Sequence, residues 1–488
     1  MTSNDGKGNG VRGTGTNTPL SRRSILASSA IVTAGIAGCT GGNGNGNGNG
    51  NGNGNGGNGS GTRELHVLSD VEVQSAHQKF EDAFEEWEEQ EADADVEPVF
   101  EVVPSDDIRQ TIDQRLAAED APDLIFTSVS YHAEFGLQGY LRDLSDIVPS
   151  GIPDSFRLNI EGTEVYVPGN LQMCAQWYRE DVYEEAGIEW GSDWEEQLHN
   201  FEVLDDHLPD DQDPTLYIAN GAHPYMIYGH YHPMLSNGSQ FIDRDSMDEE
   251  PYVVVDEEPY RSRAIEYLEY LQEAYQYSPD SVNYGYGEAT ELFTTEQVMD
   301  TKYPARALLN FHEQNPDEAE NVKMAPFPDT PAMQSGDADY SIATIGEGFS
   351  VPTEDIGADS PDLAESYVDF FMNSDHYVDF LLEVPLHRVP TDLNILRSDR
   401  YQENEIVQSS PEYIDYVEEN ADGVMFYTNI TGDDAVTPYW DTLIRGTEIG
   451  TNMLAAPMAG QMEPEEAVDW AADELRTEIP DFEERFNQ

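Results

Sequence analysis

The chain has 488 residues, with 97 Asp and Glu against 23 Lys and Arg, and a formal net charge of −74. That length exceeds one simple core and suits two lobes. Apolar residues at 38% and aromatics at 10% are enough to pack them, so high charge does not here mean disorder. The charge excludes nucleic-acid binding, which needs a basic footprint. It fits adaptation to molar salt, where self-repulsion is screened over roughly 3 Å. An acidic surface for cations or basic partners is the rival reading. Against this background, carboxylate clusters say little about catalysis.

From the N-terminus, Arg22-Arg23 precede the apolar and small-residue run Ile25–Gly38. At about 14 residues the run is too short to span a bilayer and suits a signal-peptide core. The arginine pair resembles a twin-arginine export signal. "IAGC" ending at Cys39 resembles a lipobox, which makes Cys39 a lipidated N-terminus. The Asn-Gly repeat within Gly42–Gly61 offers no apolar burial to offset chain entropy and reads as a tether with a reach of about 25 Å. The remaining cysteine, Cys174, lies in the apolar stretch "LQMCAQWY" and reads as a small core residue. No disulfide or cysteine-zinc site is available.

The chain from Arg63 onward alternates strand and helix. "RELHVLSD" is a first strand, followed by a helix from Gln74 to about Gln90. Val96–Val103 is a second strand. "DDIRQTIDQRLAAED" is a helix with Ile108, Ile112 and Leu116 on one face. Ala121–Val129 is a third strand. Thr163–Ile188 reads as two short strands flanking Pro168-Gly169, then a helix. Further helices are expected over Ser262–Tyr275, Asp362–Asn373 and Glu465–Thr477. The pattern is α/β, with ligands expected at strand C-ends. Sequons at Asn58, Asn237 and Asn429 are candidate glycosylation sites.

Five blocks, in order, resemble the carbohydrate-binding group of extracellular solute-binding proteins of ABC importers, which includes maltodextrin-binding proteins. They are "LHVLSD", "IRQTIDQRLAAEDAPDLIFTSVSYHAEFGLQGYLRDLSDIV", "VYVPGNLQMCAQWYREDVYEEAGI", "IGEGFSVPTE" with "FFMNSD", and "PYWDTLIRGTEIGTNMLAAPMAGQMEPEEAVDWAADEL". With the N-terminal signals, the chain resembles a haloarchaeal-type lipoprotein of that family. The resemblance implies a two-lobed periplasmic-binding-protein fold of type II, with several crossovers and a ligand cleft between lobes that close by hinge motion. The expected parts are a signal peptide (1–38), lipidated Cys39 and tether (39–62), lobe 1 (63–170, returning at 336–392) and lobe 2 (171–335 and 393–488). It implies a monomeric, cofactor-free, non-enzymatic receptor on the outer face of the membrane, handing a sugar or oligosaccharide to permease subunits.

A sugar offers hydroxyls and flat C–H faces, so a site needs planar polar groups and aromatic platforms. Trp440 matches a stacking position of the family, or is a half-buried core residue. Tyr225 and Tyr228 lie in a segment resembling its second-lobe aromatics, or pack a helix. Tyr131 follows the third strand. Asp70 ends the first strand, to accept sugar hydroxyls or to cap the next helix. Asn170 and Gln172 lie at the crossover. Arg306 and Arg388 are hydroxyl donors or structural ion-pair partners. Ala305 stands where the family often carries Trp, with Tyr303 as a substitute platform. The alternatives are a polyol, glycerol-phosphate or metal chelate in the same fold, the last through His223, His230 and His232, or a secreted polysaccharide-active enzyme. No H-E-x-x-H, G-x-S-x-G or P-loop is present.

Overall fold

β1 (Arg63–Ser69), β2 (Val96–Val102) and β3 (Leu124–Ser128) lie parallel, with β1 in the middle. The helices Gln74–Gln90 and Ile108–Ala117 are the crossovers. In the first, Ala76, Phe80, Ala83, Phe84 and Trp87 are buried, the spacing of one helical face. In the second, Ile108 and Ile112 are buried and Leu116 packs half-buried against the same core. Phe80 is a hub. Its ring lies 5.2, 5.7, 5.0 and 5.0 Å from those of Phe126, Phe349, Phe371 and Phe380. The computed structural model describes residues 62–90, 96–105, 107–160, 162–219, 226–243, 252–421, 424–426 and 448–486.

The hairpin of β4 (Asn159–Ile160) and β5 (Thr163–Glu164) leads into β6 (Val167–Arg179). Two short strands were expected around Pro168-Gly169. The structure instead has one 13-residue strand running through them. Proline is normally kept out of central strands because it cannot donate to the ladder. Here a register shift between Glu347 and Gly348 of the neighbouring strand accommodates it. Thr391 and Tyr377 donate their hydroxyl hydrogens to the carbonyls of Pro168 and Gly169 at 2.8 and 2.6 Å. Gly169 is required by close approach: a Cβ would sit 2.9 Å from the Phe126 ring and 3.0 Å from the Glu347 carbonyl.

After the hairpin β7 (Ile242–Asp243) and β8 (Tyr252–Val253) come β9 (Asp300–Pro304), β10 (Val322–Ala325), β11 (Ile342–Ser350), β12 (Val389–Pro390) and β13 (Val424–Phe426). The large sheet has the order β10-β6-β11-β3-β1-β2, with β9 and β12 also on β6 and β13 on β11. β6 changes partners along its length. Up to Met173 it pairs antiparallel with β11, and with β12 at Asn170 and Leu171. From Cys174 it pairs with β9, and from Gln176 with β10. At the change-over, two hydroxyls of the helix Pro411–Asn420 reach its backbone: Tyr413 donates to the Met173 carbonyl at 2.7 Å and Tyr416 to that of Cys174 at 3.1 Å.

The later expected helices are Tyr260–Ala274, Pro361–Asn373 and Pro464–Phe486, the last extending well beyond Thr477. Cys174 is free and buried, and burial pushes its thiol pKa well up. Asn237 is not an accessible glycosylation site. It is fully buried, its amide donates to the Arg263 carbonyl and Glu266, and its Oδ1 accepts from the Ala332 amide. Asn58 and Asn429 lie outside the described residues, as do Arg22, Arg23 and Cys39. No described helix is long and apolar enough to cross a membrane.

Candidate functional site

The C-ends of parallel strands expose backbone and side chains to an incoming ligand. Asp70 follows β1 at such an end. Its Oδ2 accepts a 2.8 Å hydrogen bond from Thr127 Oγ1 of β3, and its Oδ1 is buried without a partner. It caps no helix. Glu347, on β11, stands opposite Asn170 of β6 on one side and Ser128 of β3 on the other. The Glu347 carboxylate accepts from Asn170 Nδ2 at 2.9 Å and from Gln172 Nε2 at 3.0 Å. The shift after Glu347 is the kind of irregularity that re-aims a side chain. Gly348 makes it feasible, since a Cβ there would meet the Val167 carbonyl at 2.3 Å.

Arg388 enters from the turn before β12. Its Nε lies 3.9 Å from Glu347 Oε2, its guanidinium rests over the Phe380 ring at 4.3 Å, and its Nη1 is buried without a partner. Burial lowers the Arg388 pKa, opposed by the charges of Glu347 and Asp70; Arg306, at the start of the helix Arg306–Gln314, lowers it further. Burial and then the charge of Glu347 raise the Asp70 carboxyl from the ordinary range to about 7, opposed by the Thr127 hydrogen bond, its own backbone amide and Arg388. The Asn170 Oδ1 and Gln176 Oε1 atoms are also buried without partners. A buried polar atom left in this way costs free energy unless something else bonds it. The cluster around Glu347 therefore holds two buried acceptors without partners, on Asp70 and Asn170, and one buried donor without a partner, on Arg388; Gln176 lies further along β6, where it pairs with β9 and β10.

Of the residues expected from sequence, Asp70, Asn170, Gln172 and Arg388 come together, with Arg306 in electrostatic reach. Tyr131 is half-buried on the helix Val129–Leu137 and packs against the core. Trp440 and Tyr225 lie outside the described residues, as does the side chain of Tyr228. Tyr303 is buried, its carbonyl accepting from Trp177 Nε1. Glu347 and Thr127 were missed. The signal for Glu347 is the pair of glycines around it in "IGEGF", which marks an acid on tightly packed backbone. His230 is locked between Tyr267 Oη and the Ile218 carbonyl at 2.7 and 2.6 Å. His232 stacks on Phe327 at 4.1 Å. Burial drops their pKa values to about 4 and about 3. His223 lies outside the described residues. Among the described residues no cluster of three His, Cys, Asp or Glu side chains is arranged to hold a metal.

The profile of the bacterial extracellular solute-binding protein family matches residues 72–376. The chain belongs to that family. Solved structures share its fold over most of both chains. The GacH receptor of Streptomyces glaucescens, studied unliganded and with acarbose, is 17% identical with a TM-score of 0.64, covering 86% of this chain and 99% of its own. The cyclic α-maltosyl-1,6-maltose binding protein of Arthrobacter globiformis is 16% identical with a TM-score of 0.66, covering 86% and 100%. A solute-binding protein of Thermotoga lettingae bound to α-D-tagatose is 14% identical with a TM-score of 0.64, covering 86% and 100%. No curated protein matches the chain. The fold is thus the two-lobed, type II binding-protein fold expected for the family, and Glu347 sits on β11 between β3 and β6.

Proposed function

We propose that this protein is an exported, lipid-anchored receptor that captures a neutral sugar or oligosaccharide and delivers it to the permease of an ABC importer. The observation that carries the reading is the cluster of buried, incompletely bonded polar groups on Asp70, Asn170 and Arg388 around Glu347. Such groups are satisfied by a ligand that brings several hydroxyls. The sugars named for the structural neighbours support it. Arg22-Arg23, Cys39 and the Asn-Gly tether support export and anchoring at the outer membrane face. In this reading the lobe boundaries lie at 170/171, 335/336 and 392/393. Trp440, Tyr225, Tyr228 and Tyr131 are the aromatic platforms of this reading, and Arg306 and Arg388 its hydroxyl donors. The role is binding, not catalysis.

The test is a thermal-shift screen of the full chain in molar KCl against mono- and oligosaccharides. A ligand at roughly 100 times its Kd adds about 2.7 kcal/mol to the native state. A concentration-dependent rise for one sugar class identifies the ligand, and Trp440→Ala is expected to abolish it. A flat response to all sugars, with a shift from a polyol, a phosphorylated glycerol or a divalent metal, sinks the sugar assignment and leaves the binding-protein fold intact.

A further inference from the structure

The two carboxyl groups of the site differ in what they are bonded to. Glu347 receives two amide N–H donors, from Asn170 and Gln172, and faces the Arg388 guanidinium. These are the partners a carboxylate's lone pairs accept from. Asp70 receives one hydroxyl, from Thr127, and its other oxygen is buried and unpartnered. A carboxylate in that position would leave an unsolvated lone pair beside a second negative charge. The groups acting on Asp70 are Glu347 from β11, Thr127 from β3, its own backbone amide and Arg388 from the turn before β12, with Arg306 behind Arg388.

We propose that Asp70 stands in the empty site as a neutral carboxylic acid and Glu347 as the ionised partner, so that capture of a polyhydroxyl ligand releases one proton to solvent. Asn170 and Gln172 act through Glu347 as positioning residues, fixing which of the two acids keeps the charge. On capture, the Asp70 O–H bond breaks and its proton leaves to buffer. Ligand hydroxyls then donate to both oxygens of the new carboxylate, satisfying the atom that was unpartnered. The shift of Asp70 to about 7 agrees with this assignment. The release half rests on the sugar reading above; the protonation half does not.

Difference infrared spectroscopy of the full chain without ligand decides the protonation half. A protonated-carboxyl band is expected near neutral pH, absent from Asp70→Asn and titrating at lower pH in Glu347→Gln, where the neighbouring charge is gone. Gln172→Ala, which leaves Glu347 in place but loosely held, is expected to move the titration by less. Both substitutions at 347 and 172 read the assignment if Asp70→Asn fails to fold. A wild type with no such band at pH 6 overturns the proposal, and so does a band that Glu347→Gln leaves at the same pH. Calorimetric titration with maltotriose at pH 6, in phosphate and in Tris, tests release. Heats that differ between the buffers by the equivalent of up to one proton support it. Equal heats with maltotriose bound overturn it. Failure of every sugar in the screen rejects the sugar reading and the release half with it, while the infrared result still decides the protonation of Asp70.

Discussion

Lys302 Nζ lies 2.7 Å from Asp300 Oδ1, 2.6 Å from Thr215 Oγ1 and 3.9 Å from the centroid of the Tyr217 ring. Both charged side chains are buried. Burial lowers the lysine pKa and raises that of the aspartate, and each charge opposes the shift of the other. Such a pair adds little against apolar residues of the same volume, but removing one partner strands the other. Lys302→Met is therefore expected to cost about 3–5 kcal/mol in denaturant unfolding, and Lys302→Met with Asp300→Leu is expected to recover most of it. A single substitution that leaves the midpoint unchanged refutes this account. Asp70 gives a pH-dependent prediction. Its folded pKa of about 7 lies above the roughly 3.9 of an unfolded aspartate, so the native state holds the proton more tightly. Its contribution to stability is full below about pH 4 and is lost as pH rises to about 7. Asp70→Asn is expected to match the wild type near pH 4 and to exceed its stability by on the order of 4 kcal/mol at pH 8, about three pKa units at about 1.4 kcal/mol each. A gap that does not grow with pH refutes it. At this scale the sequence carried Asp70, Asn170, Gln172 and Arg388 but not Glu347. With 97 acids in the chain, one more carboxylate has no contrast, and its importance comes from strand register, which local pattern does not encode.

Where local pattern is strong, the elements match. The helix Gln74–Gln90 was legible because five apolar positions fall on one face and no breaker interrupts them. β6 was not, because Pro168-Gly169 reads locally as a turn and only the neighbouring strand, through its register shift, permits both residues inside a ladder. Tertiary context overrode turn chemistry there. Two substitutions probe elements rather than the site. Phe80→Ala empties the centre of four ring contacts and is expected to cost about 3–5 kcal/mol. Tyr416→Phe removes the donor to the Cys174 carbonyl and the contact with Tyr340 Oη at 3.3 Å. Its expected cost is about 0.5–1.5 kcal/mol, readable as a lower urea midpoint with an unchanged slope. A Phe80→Ala protein as stable as wild type means the sheet and helices do not depend on that core.

Across the whole molecule, cations are scarce and heavily used. Arg142 bridges Asp362 and Glu365, Arg179 bridges Asp181, Glu296 and Glu318, Arg400 bridges Asp375 and Asp379, and Arg476 is held by Asp256. Arg179 is itself buried; the more exposed pairs of Arg142, Arg400 and Arg476 are individually worth about 0–1 kcal/mol, and 23 basic residues leave a net charge of −74. The sum is long-range repulsion that folding compresses into a smaller volume. Salt shortens the reach of that repulsion from about 10 Å at 0.1 M to about 3 Å at 1 M, while buried contacts such as the Phe80 hub are screened far less. The unfolding midpoint is therefore expected to climb steeply as KCl rises from about 0.1 to about 1 M, where the Debye length falls fastest in absolute terms, and more gently beyond. Sulfate salts also strengthen apolar burial by exclusion from the surface, so KCl against sucrose separates the two effects. Sucrose at matched osmolality is expected to raise the midpoint far less than KCl if repulsion limits the fold. Equal gains from both, or a midpoint indifferent to KCl, mean that the acidic surface is not what holds stability down, and leave the rival reading of that surface as a binder of cations or basic partners.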